Sequence, residues 1–260
     1  MLLGAVVVFG CTPTAEAPPD DATTSEGMVV WITDGDTIQV VVSDQEVEVR
    51  LAGINAPERE ECFYGPALDH LIDTLRDKAV TMEIVGDDQF GRTLAHVFEG
   101  ERYVNEEMVT SGLAIATTDD GDPRSPALLA AEERAAANGV GLWEPEACGP
   151  VDESRSVEID GSVSVTDPPG PDEETLGEEW VVVANRGGAV VDLEGWTLRD
   201  ESSRHRYTFP AGAMLDPGRA LQVRSDDAGW APGGEPVWNN DGDMALLRDQ
   251  HGNVVSRWRY

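Results

Sequence analysis

The sequence predicts two domains, a mixed α/β domain followed by an all-β sandwich. In residues 27–150, β-forming runs alternate with helical patterns, whereas from about 178 onward only short β-runs remain, separated by Gly, Pro, Asn and Asp. The chain has 260 residues and is 40% hydrophobic, which allows a separate core in each part. We expect a linker or loose first strand at 151–177, with the second domain over 178–260 or from 155.

The pattern in residues 27–150 predicts the element order βββαββαα. Strands are expected where β-forming residues run between short polar turns, and helices where apolar residues recur at helical spacing. Asn105 is the expected N-cap of the second helix and Ser125 that of the third, with Pro126 in its first turn. The predicted strands are MVVWIT, TIQVVV, EVEVRLAGI, AVTMEIVG and RTLAHVFEG, and the predicted helices are residues 65–77, VNEEMVTSGLA and SPALLAAEERAAANGVGLW.

Residues 178–260 read as a β-sandwich, because turn residues interrupt short β-runs at close intervals. Trp196 and Trp238 are expected as core anchors of this sandwich. Residues 240–242 are expected to form a hairpin turn, and His205 is expected on the surface. No pairing of a nucleophile with a base is visible in this part, so the sequence predicts no second catalytic centre there.

The first 26 residues predict export. They begin with MLLGAVVVFG, an apolar run too short to span a bilayer but suited to a signal peptide, and Cys11 follows at once. This arrangement is similar to a lipoprotein signal, although no Lys or Arg precedes the run. The polar, Pro-rich stretch after Cys11 cannot form a core and suits a tether. We therefore expect an extracellular, cell-surface protein anchored to the membrane through a lipid on Cys11.

Two further cysteines, Cys62 and Cys148, remain once Cys11 is set aside. In an exported protein a pair of cysteines favours a disulfide. The bond would tie the start of the first helix to the segment that follows the last helix of the first domain. The alternative is a pair of buried free thiols.

The net charge is −32, from 50 acidic and 18 basic residues, and Lys78 is the only lysine. An acidic, lysine-poor composition is typical of high-salt habitats, where a dense carboxylate surface stays hydrated. GC-rich codon usage with an ordinary solvated surface is the alternative. In either case, the charge excludes long-range attraction of nucleic acid at low salt.

Five charged residues at strand ends form a candidate site. Asp34 and Asp36 flank a glycine between two β-runs, Arg50 and Glu58 lie near the end of the third run, and Arg92 begins a later strand. Taken alone, the two aspartates suit an ordinary hairpin turn. Together with one further carboxylate and two arginines, they suggest phosphate chemistry, because loops at strand ends can converge.

Each residue type in this set has a chemical reason to be there. A hard cation such as Ca²⁺ takes oxygen ligands, and carboxylates supply both the oxygen and the charge. Arginine forks match paired phosphate oxygens and stabilise the charge that builds during attack on phosphorus. A nearby carboxylate can take the proton of the attacking water.

The segments DGDT, RLAGINAPE, FGRTLAHV and VNEEMVTSGLA resemble the thermonuclease family, the staphylococcal-nuclease-like domains. The resemblance covers about residues 27–145. It implies an OB-fold, a five-stranded β-barrel with three helices, which fits the predicted element order. It also implies an endonuclease that cuts DNA and RNA with Ca²⁺ as its cofactor.

The resemblance implies a role for each of eight residues. Asp36, Asn55 and the backbone carbonyl of Ala56 correspond to ligands of the metal. Glu58 corresponds to the general base. Arg50 and Arg92 correspond to the arginines that hold the phosphate, with Asp34 and Thr37 beside the metal ligands.

Asn55 departs from the family pattern, which has a second aspartate at this position. An amide oxygen can still bind Ca²⁺, but one negative charge is lost and the affinity should fall. The alternative function is therefore a catalytically weak or silent scaffold that binds nucleic acid or a cell-surface ligand. A third interpretation is an envelope structural protein.

The segments LEGWTLRD, LDPG and WNNDGD resemble the lamin tail domain, over about residues 155–260. This resemblance implies an immunoglobulin-like sandwich. In bacterial proteins such domains accompany extracellular nucleases, which suggests a protein or cell-surface partner for this part of the chain.

Overall fold

The fold was obtained as a computed structural model that describes residues 23–88, 90–118, 121–151, 156–161, 179–202, 204–230, 237–238 and 242–260. Three predictions lie wholly or mostly outside the described residues: the signal and tether over residues 1–26, lipidation of Cys11, and the turn at Asn240 and Asp241. The predicted end of the tether at residue 26 is wrong, because the first strand already begins at Thr23 and pairs with the strand at 79–87. No described helix is long and apolar enough to cross a membrane.

The first domain is a closed five-stranded barrel with three helices. Its five long strands are hydrogen-bonded in the order β3-β2-β1-β5-β6, and a parallel pairing between β3 and β6 closes the ring. The strands are β1 (Thr23–Ile32), β2 (Thr37–Val42), β3 (Gln45–Leu51), β4 (Ile54–Asn55), β5 (Ala79–Asp87), β6 (Thr93–Glu99), β7 (Arg102–Tyr103) and β8 (Ile115–Ala116). The helices are α1 (Tyr64–Leu75), α2 (Val104–Thr110) and α3 (Ser125–Ala137), followed by a 3₁₀ turn at Gly141–Trp143.

The barrel has the OB-fold that the sequence predicts, because alternating apolar residues face its interior. Ile38, Val49, Leu51 and Val97 are each fully or almost fully buried there. Two pairings matter for the site: Thr37 of β2 lies opposite Arg50 of β3, and Arg50 lies beside Leu94 of β6. The closure of the barrel therefore brings three separate chain segments to one end.

The prediction of Asn105 as a helix cap is wrong. The N-cap of α2 is Tyr103, and Asn105 lies fully buried inside the helix. Its amide oxygen accepts a hydrogen bond from Val97 N–H at 2.9 Å, and its amide nitrogen donates to the carbonyl oxygens of Ala52 at 2.8 Å and Ala95 at 3.3 Å. Asn105 therefore supplies hydrogen-bond partners to buried backbone groups of β6 and of the residue after β3. Buried polar groups need such partners, so the side chain serves these groups and does not cap the helix.

The N-cap prediction for Ser125 is also wrong, since Arg124 precedes α3 as its cap. The turn before the helix is organised by Asp122 instead. Its carboxylate accepts from Arg124 N–H at 2.8 Å, and its carbonyl accepts from Ser125 N–H at 3.0 Å. The same carboxylate contacts the buried His96 ring at 3.0 Å, so the start of α3 is tied to the barrel.

The second domain is an immunoglobulin-like sandwich. A three-stranded sheet of order β15-β10-β9 faces a four-stranded sheet of order β13-β12-β16-β17, with β11 and β14 paired beside them. The strands are β9 (Val157–Ile159), β10 (Trp180–Asn185), β11 (Val191–Asp192), β12 (Thr197–Arg199), β13 (Arg206–Thr208), β14 (Met214–Leu215), β15 (Ala220–Arg224), β16 (Met244–Arg248) and β17 (Val254–Arg259).

Trp196 and Trp238 are buried in the sandwich core, as predicted. The prediction that His205 is simply a surface residue is wrong. Its ring Nδ1 lies 2.6 Å from the buried carboxylate of Asp200, and its side chain is only 14% exposed. A buried carboxylate needs a polar partner, which explains why the ring is drawn inward.

The two domains pack together through an apolar cluster and through hydrogen bonds beside a disulfide of the first domain. Ile115 and Leu142 of the first domain are buried against Met244 and Leu246 of the second. Cys62 and Cys148 form a disulfide at the edge of this junction. The backbone next to the disulfide is bonded to the sandwich, because Asn253 accepts from Cys148 N–H at 2.8 Å and donates to the Gly149 carbonyl at 3.1 Å. These contacts make the junction a packed region. The four cluster residues have three apolar neighbours, Phe63, Trp143 and Val254.

Charged groups surround the apolar cluster at the junction. Arg259 contacts Glu201 at 2.7 Å and Glu132 at 3.4 Å, and Arg257 contacts both Glu132 and Glu133 at 2.9 Å. Glu132 is almost completely buried, and these two arginines supply its charged partners, while its Oε2 also accepts from Ala116 N–H at 2.9 Å.

Candidate active site

The turn between β1 and β2 is pressed against the chain that follows β4. A Cβ atom on Gly35 would lie 2.7 Å from the Cβ atoms of Ala56 and Ala67, so only glycine fits. Within the turn, the carboxylate of Asp34 accepts a hydrogen bond from Asp36 N–H at 3.1 Å. The close approach explains how two acids in a short turn are held beside a second loop.

Asp36 lies at the centre of this contact and is only 6% exposed. Its Oδ2 accepts from Ala56 N–H at 2.7 Å and pairs with Arg50 Nη2 at 3.0 Å, while its Oδ1 accepts from the Thr37 hydroxyl at 3.1 Å. Burial raises the pKa of Asp36 to about 6, although Arg50 acts in the opposite direction. A desolvated carboxylate of this kind favours a nearby cation, because burial disfavours its charged form in isolation.

Arg50 links Asp36 to the loop after β3. Its Nη1 donates to the carbonyl oxygens of Leu51 and Ile54, both at 2.8 Å. Its Nη2 donates to the amide oxygen of Asn55 at 3.2 Å as well as pairing with Asp36. Both terminal nitrogens of the guanidinium therefore have protein partners, which fixes its orientation beside Asp36.

Asn55 is buried and makes contacts in two directions. Besides accepting from Arg50, its side-chain amide donates to the backbone carbonyl of Glu201, in the second domain, at 3.0 Å. A carboxylate could not make the second bond, since an ionised carboxylate only accepts. The amide at position 55 therefore suits a site that the sandwich touches directly.

Glu58 lies exposed at the start of the next turn. Its backbone N–H donates to the Glu61 carboxylate at 3.1 Å, and its carbonyl accepts from Glu61 N–H at 2.7 Å. Among the described residues, the Glu58 carboxylate forms no hydrogen bond or ion pair. An exposed carboxylate held by its backbone can act on a water molecule, which is what a general base requires.

Arg92 is not joined to the group around Asp36. Its Nε donates to the Asp88 carboxylate at 2.6 Å, its guanidinium lies 5.4 Å from the centre of the Phe90 ring, and its side chain is 27% exposed. It directly precedes β6, whose residue Leu94 pairs with Arg50. Arg92 thus lies just before the neighbouring strand β6. A phosphate that binds to it would have to displace the carboxylate of Asp88.

The structure therefore brings six of the eight residues together and leaves two at the edge. The six are joined by hydrogen bonds or by direct chain neighbourhood: Asp34, Asp36, Thr37, Arg50, Asn55 and Ala56. Glu58 continues the same loop, and Arg92 begins the adjacent strand.

The oxygen atoms of this group suit a hard cation. Asp34 and Asp36 supply carboxylates, and Asn55 and Ala56 supply neutral carbonyl-type oxygens, which is the donor chemistry that Ca²⁺ takes. The buried Asp36, with its raised pKa, is the observation that favours a cation here. Among the described residues, no group of three or more His, Cys, Asp or Glu side chains is arranged to hold a metal. Because position 55 is an amide, only two carboxylates remain.

Sequence reasoning missed a second set of charged residues beside this loop. The Glu61 carboxylate pairs with Arg199, Arg206 and Arg248 of the sandwich. Glu61 is one of several acids in its segment and carries no distinguishing signal. Two of the three arginines do carry a signal in the sequence. The tripeptide LRD occurs at the ends of two strands, at residues 198–200 and 247–249, and places an arginine directly after apolar residues.

Comparison with known families matches residues 48–145 to "Staphylococcal nuclease homologue" and residues 154–260 to "Lamin Tail Domain". An "Uncharacterized endonuclease" of Haemophilus influenzae is 38% identical over 116 residues, which span 44% of this chain and 64% of that protein. A "Micrococcal nuclease" of Shigella flexneri is 36% identical over 134 residues, 48% of this chain and 77% of its own length. A "Thermonuclease" of Staphylococcus intermedius is 29% identical over 126 residues, 45% of this chain and 75% of its own length.

The first family match covers most of the barrel domain, including Arg50, and the second covers the sandwich. The chain therefore belongs to the staphylococcal nuclease homologue family of nuclease hydrolases and carries a lamin tail domain after its OB-fold barrel.

Proposed function

We propose that this protein is a Ca²⁺-dependent endonuclease that hydrolyses phosphodiester bonds of DNA, RNA or both. The observation that carries the proposal is the buried ion pair between Asp36 and Arg50, 3.0 Å apart, which contacts the loop that carries Glu58 through the bond from Ala56 N–H to Asp36. A desolvated carboxylate beside a guanidinium fork, next to an exposed carboxylate, fits the needs of attack on phosphorus.

The residues have distinct tasks in this proposal. Asp36 would hold Ca²⁺ with Asn55 and the Ala56 carbonyl, with Asp34 beside these ligands, and the ion would supply positive charge for the phosphate oxygens. Arg50 exchanges one of its present acceptors for a phosphate oxygen and stabilises the negative charge that builds on it.

Glu58 acts as the general base in this proposal. Its exposed carboxylate takes the proton of a water molecule, whose oxygen then attacks the phosphorus. The bond from phosphorus to the oxygen of the departing nucleotide breaks, and that oxygen takes up a proton from solvent. Arg92 gives up its ion pair with Asp88 and binds the phosphate, where its positive charge stabilises the transition state. Thr37 keeps the Asp36 carboxylate oriented through its hydroxyl.

Digestion of supercoiled plasmid in Ca²⁺, against the same reaction with a chelator, tests the proposal. The Glu58→Gln variant should lose about 10²–10⁴-fold in rate, the range for a lost general base. Glu60→Gln is the matched control, since Glu60 is an exposed acid two residues away, and it should cut like the unaltered protein. Cutting by Glu58→Gln at the normal rate would contradict the role of Glu58.

A second candidate function is a scaffold that binds nucleic acid without cutting it. The observation in its favour is Asn55, which takes the place of an acid and is bonded to Arg50 and to Glu201. This function predicts retention of labelled oligonucleotide in a gel shift, together with intact plasmid after prolonged incubation in Ca²⁺.

We also propose that the protein is exported and held at the cell surface by a lipid on Cys11, where Ca²⁺ and extracellular nucleic acid are available. The proposal rests on the apolar run that precedes Cys11. Incorporation of a labelled fatty acid by the full chain, and its loss in Cys11→Ser, is the expected result. Equal labelling of both proteins would exclude the anchor.

A further inference from the structure

The loop that carries Glu58 is contacted by the lamin tail domain at both ends. At its start, the Asn55 amide donates to the Glu201 carbonyl at 3.0 Å. Near its end, Glu61 is bound by three arginines of the sandwich. The next residue, Cys62, is fixed by its disulfide, and a Cβ atom on Gly252 would lie only 3.2 Å from the Cys62 Cβ. The catalytic loop is therefore packed between the two domains.

The three arginines, which we call the junction arginines, hold the Glu61 carboxylate from several sides. Arg199 Nη1 lies 3.0 Å from both oxygens, and Arg248 Nη1 lies 3.3 Å from Oε2. Arg206 Nη2 contacts Oε1. The Glu61 side chain is only 6% exposed, although it lies in a surface loop of the barrel. Burial would raise its pKa, but the junction arginines outweigh burial and lower it to about 2.

Glu61 is in turn bonded to the backbone of Glu58 in both directions. Its carboxylate accepts from Glu58 N–H at 3.1 Å, and its own N–H donates to the Glu58 carbonyl at 2.7 Å. The Glu58 side chain itself has no partner among the described residues, so its position depends on its backbone. The junction arginines fix Glu61, and Glu61 fixes the residue proposed as the base.

We infer that Glu61 is a positioning residue, through which the lamin tail domain holds Glu58 in place, so that the two domains together form the nuclease. The inference rests on the proposed function for the identity of the reacting group. In this inference the lamin tail domain contributes to the nuclease reaction itself, whether or not it also binds a separate partner. A misplacement of about 1 Å at a reacting group is enough to cost 10²-fold in rate, so a small loss of order at this loop has a large effect.

A matched pair of variants separates positioning from ordinary contact between the domains. Glu61→Gln removes the charge that the junction arginines hold. Glu133→Gln removes another carboxylate that pairs across the junction, with Arg257 at 2.8 Å, but lies on α3 away from the loop. Glu61→Gln removes the ion pairs with three arginines and Glu133→Gln removes the pair with one, so both weaken ionic contacts between the same two domains. Only the first touches the loop of Glu58.

Steady-state cleavage by the full chain is the first measurement. Glu61→Gln should lower kcat about tenfold or more and leave KM within about twofold, because a positioning residue acts on the reacting geometry and not on substrate binding. Glu133→Gln should leave both constants unchanged. A folded Glu61→Gln protein with the normal kcat would overturn the inference, whereas the Glu58→Gln result tests the proposed function by itself.

Arg206 provides a second test, in case three arginines without their carboxylate prevent folding. Its side chain is 36% exposed, and the other two arginines remain when it is changed. Arg206→Gln should lower kcat in the same direction by a smaller factor, and Arg206→Lys, which keeps the charge, should recover most of the loss. An equal kcat for both variants and the unaltered protein would count against the inference.

Hydrogen exchange gives a readout that does not depend on activity. The amide of Glu58 should exchange about tenfold faster in Glu61→Gln than in the unaltered protein, since its acceptor is no longer held by the junction arginines. The same amide should exchange at the normal rate in Glu133→Gln. If the unaltered protein cuts no substrate, the exchange result still decides whether the lamin tail domain orders this loop, and unchanged exchange in Glu61→Gln would refute it.

Discussion

The side-chain amide of Asn55 donates to the carbonyl oxygen of Glu201 at 3.0 Å, and its oxygen accepts from Arg50 at 3.2 Å. One buried side chain thus connects the arginine of the candidate site to the lamin tail domain. This bond explains why position 55 is not an acid, because the amide nitrogen donates a hydrogen bond and an ionised aspartate has no such donor. The bond couples any change at the proposed metal site to the junction between the domains.

Asn55→Asp should lower stability without metal and regain it with Ca²⁺. The carboxylate would face the Glu201 carbonyl without a proton to share, which costs about 1–3 kcal/mol for an unsatisfied buried group. An added carboxylate would also strengthen Ca²⁺ binding. We therefore expect a lower Tm than the unaltered protein in chelator, and a larger rise in Tm on addition of Ca²⁺.

Asn138→Asp is the control for the added charge, because Asn138 lies exposed at the end of α3. Its effect on Tm should be the same in chelator and in Ca²⁺. Equal Ca²⁺-dependent shifts for Asn55→Asp and for the unaltered protein would show that position 55 does not contact the ion.

Arg50→Lys should lose both structure and activity. The guanidinium donates to the carbonyls of Leu51 and Ile54 and pairs with Asp36, and a lysine ammonium cannot serve these acceptors in one plane. We expect kcat/KM to fall by about 10²–10³-fold, as for loss of a donor to the developing charge.

Arg102→Lys is the comparison for Arg50→Lys, since Arg102 is 44% exposed and pairs with Glu107 on the surface. It should retain normal kcat/KM, because an exposed pair contributes little. Comparable losses of kcat/KM in the two variants would mean that the guanidinium of Arg50 contributes no more to activity than that of an exposed arginine.

The barrel could be predicted from residues because each strand alternates apolar and polar positions over a closed core. Its β2–β3 pairing, which sets Thr37 opposite Arg50, follows from one short turn between neighbouring strands. The role of Asn105 could not be predicted, because a buried asparagine inside a helix and a helix cap look alike in sequence. Its environment is set by strands that pair only after the barrel closes.

The candidate site also has a part that could be predicted from the sequence and a part that could not. The contact of Asp36 with Arg50 could be expected from strand ends that meet and from the family resemblance. The contacts of Glu61 with the junction arginines could not, since they join residues 138 or more positions apart in the chain. No local pattern encodes a contact that depends on how two separately folded cores dock.

Stability should fall as the pH rises from about 5.5 to 9. Burial raises the pKa of Glu201 to about 7, although Arg259 acts against it, and burial with the neighbouring Asp200 and Glu201 raises the pKa of Asp243 to about 8. The folded protein therefore holds these protons more tightly than the unfolded chain, and this stabilisation is lost as the pH rises through 7 and 8. We expect Tm to drop by roughly 5 °C or more across this range.

Asp243→Asn identifies the source of that pH dependence. Its amide oxygen can still accept from the backbone N–H groups of Glu201 and Met244, but it no longer titrates. The Tm of this variant should vary less with pH than that of the unaltered protein. A Tm that rises between pH 5.5 and 9 in the unaltered protein would contradict the assignment.

Loss of the disulfide should destabilise the whole chain. Cys62 and Cys148 are 86 positions apart and close a loop that includes the barrel strands β5 and β6 and the helices α1, α2 and α3. Chain-entropy arguments give about 3–5 kcal/mol for a loop of this length. The double variant Cys62→Ser, Cys148→Ser should therefore unfold at lower denaturant concentration, and reductant should shift the unaltered protein to the same midpoint while leaving the double variant unchanged.

Nuclease activity on plasmid should rise with NaCl before it falls. The chain carries a net charge of −32, with its acids spread over both domains, so polymeric nucleic acid is repelled at low ionic strength. Salt shortens the Debye length from about 10 Å at 0.1 M to about 3 Å at 1 M, which removes this repulsion but leaves contacts at Arg50 in place. The gain should appear in KM for plasmid and be much smaller for a dinucleotide, which carries little charge. Sucrose at equal osmolality controls for water activity, and a steady loss of plasmid cutting from low salt upward would rule out charge repulsion as the limiting factor.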